Sequence, residues 1–293
     1  MSVDLSKPYI VRLCGYNFNL FRQGLHQPYD PTFQYAMVLT MNELIVAFQA
    51  RTGHTHLYEI ILVFNGTAPS ITNIPSKLLT FYTSYATIRF NHHMAAQMTN
   101  EHYISSYSPA KVASVLQKQA MFYGSFYQAD NARMARYLVD RCRDKTLGAA
   151  IFLWASTLLG VDAIQNKTCQ ELLPLLTLHH SIRWTLDIPL FVSYGVFGKL
   201  ERVDEKVALQ RPRQRWVANR AFGLDDSEKT FCMLLDKHWP VEFMMGDILT
   251  GQSFFAIKQY NLGEETTTEP RTEPESPTFL EQSRMIFAVH KDT

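Results

Sequence analysis

Cys14, His54 and His56 carry the strongest intrinsic chemistry in this 293-residue chain. Cysteine and histidine together suit zinc, which takes sulfur and nitrogen in a tetrahedral set. Three ligands with no evident fourth leave that set incomplete. A thiol near an imidazole also suits nucleophilic catalysis, with His56 as base for Cys14. No third orienting residue is evident, because Glu59, though close in sequence, points to the opposite face of the strand from His56. The third reading is that all three residues line a pocket.

Around them the chain is rich in aromatics: Tyr16, Tyr58, Tyr82, Tyr85, Tyr123 and Trp184. Aromatic side chains ordinarily fill cores. Set around one cleft with a few donors, they also have the profile of a small-molecule site. Lys77 could meet a ligand carboxylate or carbonyl, or stay solvated on a helix. Arg141 and Asp144 are three apart on an expected helix and suit an ion pair along it. Arg211, Arg213, Arg215 and Arg220 could contact phosphates, or simply form an exposed strand or loop.

The elements that must position these residues follow from periodicity. Residues 8–14 (PYIVRLC) read as a strand, and residues 31–50 carry apolar residues at helical spacing behind a proline. Residues 54–64 are rich in β-branched and aromatic types, which suits a central strand. Helix is expected again at 75–94, strand at 120–127, helix at 131–145, and a very apolar helix at 147–161. Beyond these come a helix at 168–178, a strand at 189–197 and a basic strand-like run at 211–220. Such alternation implies helices layered on a sheet.

Composition bounds the function. With 46% hydrophobic residues and a net charge of +1, the chain can bury one large core or two modest ones and has no general attraction to a polyanion. Four cysteines with no CxxC pair argue against a disulfide framework. The first residues lack a secretory pattern and the apolar run 147–161 is shorter than the roughly 20 residues of a membrane span, so a cytoplasmic location is expected. Residues 263–277 contain no aliphatic residue and read as a polar linker or loop, and 278–293 as a docking segment.

A family resemblance runs through residues 8–200. Val11-Arg12-Leu13-Cys14-Gly15-Tyr16-Asn17-Phe18, then Phe21, His26, Pro28 and Asp30, resembles the opening of the tRNA-histidine guanylyltransferases, V-R-[IL]-D-G-R-x-F followed by F, H, P and D. Gly53–Tyr58 is similar to the family's G-x-S-D-E-Y. Ser76-Lys77 with Phe81–Tyr85 resembles its S-K and S-x-F-[TS]-S-x-[FY] helix. Phe122–Ser125, Arg141–Asp144 and the Tyr194-Gly195-Val196 strand resemble later motifs in order.

The resemblance implies an α+β, polymerase-palm-like (ferredoxin-like) antiparallel sheet over residues 1–200, with 201–262 as an extension. It also implies nucleotide addition to a tRNA 5′ end with two magnesium ions. Magnesium needs hard oxygen ligands, and the two family aspartate positions hold Cys14 and His56, with Leu57 at the neighbouring acidic position. The arginines before S-K are Asn73 and Ile74, and the arginine of F-D-G-R is Ser125.

The expectation is therefore a repurposed fold without nucleotidyl transfer. It would be an enzyme of isomerase, cyclase or pericyclase type acting on an apolar small molecule, without cofactor or metal. His56, Tyr58, Lys77, Cys14 and Tyr82 would be its catalytic donors, and Tyr16, His54, Ser84, Tyr85 and Tyr123 would line the substrate pocket. Nucleic acid and membrane are not expected as partners, and a homo-oligomer is open. The alternatives are a non-catalytic tRNA-binding or regulatory relative, and residual nucleotidyl transfer with metals on Glu59 or Asp30.

Overall fold

Pro8–Tyr16 forms β1, buried along nearly its whole length as befits a strand with cover on both faces. It is the second strand in a six-stranded sheet of order β4-β1-β3-β2-β5-β6, antiparallel throughout. The computed structural model describes residues 3–66, 72–100, 107–200, 214–217 and 227–237. The expected linker at 263–277 and docking segment at 278–293 lie outside the described residues, as does most of the extension from 201 to 262.

After β1 come a short helix α1 (Phe18–Phe21), α2 (Pro31–Phe48), β2 (Thr52–His56), β3 (Glu59–Asn65) and α3 (Pro75–Met98). Next are α4 (Pro109–Gln117), β4 (Met121–Tyr127), α5 (Asn131–Val139), a π-helical stretch at Asp140–Lys145, and α6 (Thr146–Leu159). Short helices α7 (Val161–Ile164), α9 (Trp184–Asp187) and α10 (Leu190–Tyr194) surround α8 (Cys169–His180), and β5 (Val196–Leu200), β6 (Gln214–Val217) and α11 (Glu228–Leu235) follow.

The α2 helix starts where its sequence says it should. Pro31 occupies the first turn, where its missing N–H costs nothing, and Asp30 caps the end by accepting from Phe33 N at 2.8 Å. The other oxygen of Asp30 accepts from His26 N at 2.8 Å and from the Tyr107 hydroxyl at 2.7 Å. Asp30 is thus committed to structure and is not a metal ligand in waiting.

Alternation along the strands divides the core in two. Tyr9, Val11, Leu13, Ile60, Leu62 and Phe64 pack with α2 and α3 on one face. Ile10, Ile61, Val63 and Phe197 pack with α5 and α11 on the other. Lys199 is fully buried on that second side, and its ammonium donates to the carbonyls of Met233 (3.1 Å), Leu234 (3.4 Å) and Asp236 (2.7 Å), which closes the C-terminal end of α11.

Two expected elements differ. The single strand expected at 54–64 is a hairpin, β2 and β3, turned by Leu57 and Tyr58 with Leu57 in the left-handed region at φ 49°. The strand expected at 189–197 is helix α10 followed by β5, with Gly195 at φ 81° between them. Gly195 is required twice over: a Cβ there would lie 2.5 Å from His54 Nε2 and 2.6 Å from the Thr55 carbonyl.

Candidate functional site

The hairpin brings four side chains into one row across the sheet. Cys14 stands opposite Tyr123 on one side and Glu59 on the other, and Glu59 stands opposite His56. Directly paired residues in antiparallel strands share a face, so Tyr123, Cys14, Glu59 and His56 lie on the α5 side of the sheet. The next row holds Ser125, Arg12, Ile61, His54 and Phe197. The expectation that Glu59 points away from His56 is thereby corrected, because the two-residue turn reverses the chain and resets the phase.

Glu59 is the centre of the charge arrangement. Arg12 and Arg141 both pair with its Oε2, and Arg141 Nε donates to Oε1 at 3.2 Å. Burial works against ionisation of Glu59, but the neighbouring guanidinium groups of Arg141 and Arg12 prevail and hold its pKa below the usual carboxylate range. Arg141 reaches it from the π-helical stretch, whose wider turn re-aims side chains relative to the α-helices on either side. The helix-surface pair expected between Arg141 and Asp144 is replaced by this cross-element one. Two guanidiniums against one carboxylate leave a surplus positive charge, with Arg12 30% and Arg141 18% exposed at their side chains.

Cys14 and the histidines are spoken for. The Cys14 thiol, 2% exposed, donates to Glu59 Oε2 at 3.5 Å. Burial, reinforced by the Glu59 charge, pushes its pKa up to about 12, so it is a protonated thiol and not an activated nucleophile. His54 Nε2 lies 2.8 Å from the Tyr194 carbonyl and His56 Nε2 lies 3.0 Å from the Val192 carbonyl. A carbonyl only accepts, so each Nε2 carries the hydrogen. Burial lowers the pKa of His54 to about 4 and that of His56 to about 3, so both rings are neutral. They fasten β2 to α10, and the expectation that His56 is a base for Cys14 gives way to this structural role. Among the described residues no group of three His, Cys, Asp or Glu is placed to hold a metal ion.

The other expected site residues do not converge on this row. Tyr82 is fully buried among Tyr9, Phe48 and Phe64 on the opposite face, its hydroxyl 3.4 Å from that of Tyr9. Lys77 and Ser84 are exposed on α3, and Tyr85 is half-buried against Phe48. Tyr16 is 49% exposed at the end of β1, and Tyr58 sits in the turn with its ring edge to Phe18. Trp184 donates to Ser193 Oγ at 3.1 Å, away from the row. The single pocket expected from these residues is therefore split by the sheet: Cys14, His54, His56 and Tyr123 share one face, and Tyr82 and Tyr85 belong to the other.

The pairing of Arg12 with Glu59 is what reading by motif misses. Their signal is plain in retrospect: each is the charged residue in an otherwise uncharged, buried strand, and such a residue needs a partner.

Comparison with known proteins matches the fold and its first half. A bacterial tRNA(His) guanylyltransferase (Thg1)-like protein solved with ATP superposes with a TM-score of 0.62 at 19% identity, covering 79% of this chain and 93% of that one. A structure of a bacterial Thg1-like protein with GTP gives 0.52 at 18%, covering 79% and 92%. Uncharacterized protein R259 of Acanthamoeba polyphaga mimivirus is 29% identical over 209 residues, which is 67% of this chain and 70% of that relative. Residues 1–127 match the family model described as Thg1, tRNAHis guanylyltransferase, and the fold of the chain is similar to that of the Thg1-like proteins.

Proposed function

We propose that this Thg1-like chain does not carry out two-metal nucleotidyl transfer and acts by binding a phosphate-bearing ligand, a nucleotide or an RNA end, without a divalent metal. One observation carries the reading: among the described residues Glu59 is the single acidic residue in the six strands, and it is neutralised by Arg12 and Arg141. A two-metal centre requires several oxygen ligands fixed around both ions. Cys14 and His56, beside Glu59 in the row, are a protonated thiol and a neutral imidazole. The surplus guanidinium charge suits an anion instead. The bacterial Thg1-like proteins solved with ATP and GTP make a nucleotide phosphate the natural probe.

An isomerase-type enzyme acting on an apolar molecule receives less support, because its five donors fall on both faces of the sheet and the row between them is charged. The test is a thermal-shift titration with GTP in EDTA and again in magnesium. A ligand that binds the folded state raises the midpoint as its concentration passes the Kd. Equal stabilisation in both buffers is expected. Stabilisation that requires magnesium would restore a metal-dependent nucleotide site, and no shift in either buffer would remove the phosphate ligand.

A further inference from the structure

On the α5 side of the sheet the row of Tyr123 and Cys14 has a neighbouring row on each side along β1 and β4. Tyr16 pairs with Met121 one row out, and Arg12 pairs with Ser125 one row in. Paired residues share a face and every second residue of a strand returns to it, so these side chains all stand on one side. A two-residue step along a strand is about 7 Å. The surface therefore runs from Tyr16 and Met121, through Tyr123, to the guanidinium of Arg12 beside Glu59 and Arg141. It is apolar at one end and cationic at the other.

The apolar end is open to solvent: Met121 is 52% exposed, Tyr16 49% and Tyr123 39%, whereas Cys14 between them is buried. The Tyr123 hydroxyl engages the Cys14 thiol, so what Tyr123 shows to solvent is its ring. Burial pushes the pKa of that hydroxyl up to about 12, which leaves a neutral phenol that does not repel an anion, and the Arg12 charge is felt there. Tyr16 and Tyr123 stand where the guanylyltransferase motifs D-G-R and F-D-G-R carry arginine and aspartate, so the aromatic end departs from those motifs. Arg12 is the only charged residue in β1 and β4, and the three exposed side chains are all neutral.

We infer that Tyr16 and Tyr123 are specificity-determining residues that stack the base of a purine nucleotide whose phosphates meet Arg12 and Arg141, and that they select it by ring area and not by base identity. This rests on the phosphate-binding reading proposed for the two arginines. Charge and shape together choose the occupant. An apolar molecule would leave the surplus guanidinium charge unanswered, and a bare phosphate would leave the aromatic end uncovered. Stacking tolerates any base, because every base has a π-face, and a purine covers more of the platform than a pyrimidine. Met121 adds a polarizable sulfur that suits an aromatic ring. Reading a base edge takes paired donors and acceptors of the kind Arg, Asn or a carboxylate supply, and the exposed end of this surface carries none.

The test is isothermal titration calorimetry of the full chain in EDTA with inorganic tripolyphosphate, GTP, ATP and UTP, repeated on Tyr16→Ser and Tyr123→Ser. GTP and ATP are expected to bind alike and roughly tenfold tighter than tripolyphosphate, with UTP between them. Each variant should weaken GTP and ATP roughly tenfold and leave tripolyphosphate unchanged. If Tyr123→Ser fails to fold, the exposed Tyr16→Ser and the ligand series on wild type decide the matter. Nucleotides no tighter than tripolyphosphate, a preference between GTP and ATP beyond about tenfold, or variants that weaken tripolyphosphate as much as GTP would overturn the inference and leave the phosphate site standing. Binding of neither tripolyphosphate nor any nucleotide would overturn the phosphate site and the inference together.

Discussion

Replacing Glu59 by Gln should be the most damaging conservative change in the sheet. The substitution keeps the shape and removes the charge, leaving Arg12 and Arg141 facing one another with no counter-charge. Glu59 is 13% exposed at its side chain, Arg12 30% and Arg141 18%, so water screens the two guanidiniums only in part. Breaking a buried ion pair from one side costs about 3–5 kcal/mol, and the exposure of Arg12 argues for the lower end. A loss of about 3 kcal/mol lowers the thermal midpoint of a chain this size by roughly 6–12 °C. Urea denaturation of wild type, Glu59→Gln, Arg141→Gln and the double variant gives the cycle. The double variant should recover part of the loss, since it no longer buries two unpaired cations. If Glu59→Gln lies within about 0.5 kcal/mol of wild type, a solvated surface pair, and not a buried triad, is present.

Acid should unfold the protein in a window set by the histidines. His54 and His56 are held neutral, with pKa values of about 4 and about 3, whereas unfolded histidine titrates near 6.5. Between those values the unfolded chain binds more protons than the folded one, so stability is intact above pH 6.5 and falls as the pH drops toward 4. At pH 5 the loss is roughly 2 kcal/mol for each ring; urea midpoints that do not move between pH 7 and pH 5 would contradict it. Cys14 should resist alkylation at pH 8 while the exposed Cys232 reacts, because a pKa of about 12 cuts the thiolate fraction by about a thousandfold. Peptide mapping after iodoacetamide treatment reads this directly, and comparable labelling of the two thiols would show that Cys14 is not locked to Glu59.

Much of the fold is legible because its signals are periodic. Pro31 with Asp30, the helical spacing through Phe48, and the alternation from Pro8 to Tyr16 each specify an element locally. The β2–β3 turn is not legible, since Leu57 and Tyr58 contain none of the Gly, Asn or Asp that mark two-residue hairpins. That omission carries into the site: without the turn, Glu59 is assigned to the wrong face and its place beside Cys14 is lost. Helix α10 escapes for a related reason, as a short apolar run does not declare its period. Period two does place His54 and His56 on one face, but the backbone carbonyls that hold them belong to residues some 140 positions away. Tyr82 and Tyr85 illustrate the remaining limit: helical spacing says they share a helix and says nothing about which side of the sheet that helix covers.

The most direct test of the central claim is incorporation of labelled GTP at the 5′ end of a histidine tRNA by the purified full chain in saturating magnesium. The expected result is incorporation no greater than in the absence of protein, whatever the metal concentration. Magnesium-dependent incorporation that disappears in Glu59→Gln would mean that the lone strand carboxylate serves a catalytic metal, and the account of Glu59 as a charge locked between Arg12 and Arg141 would be wrong.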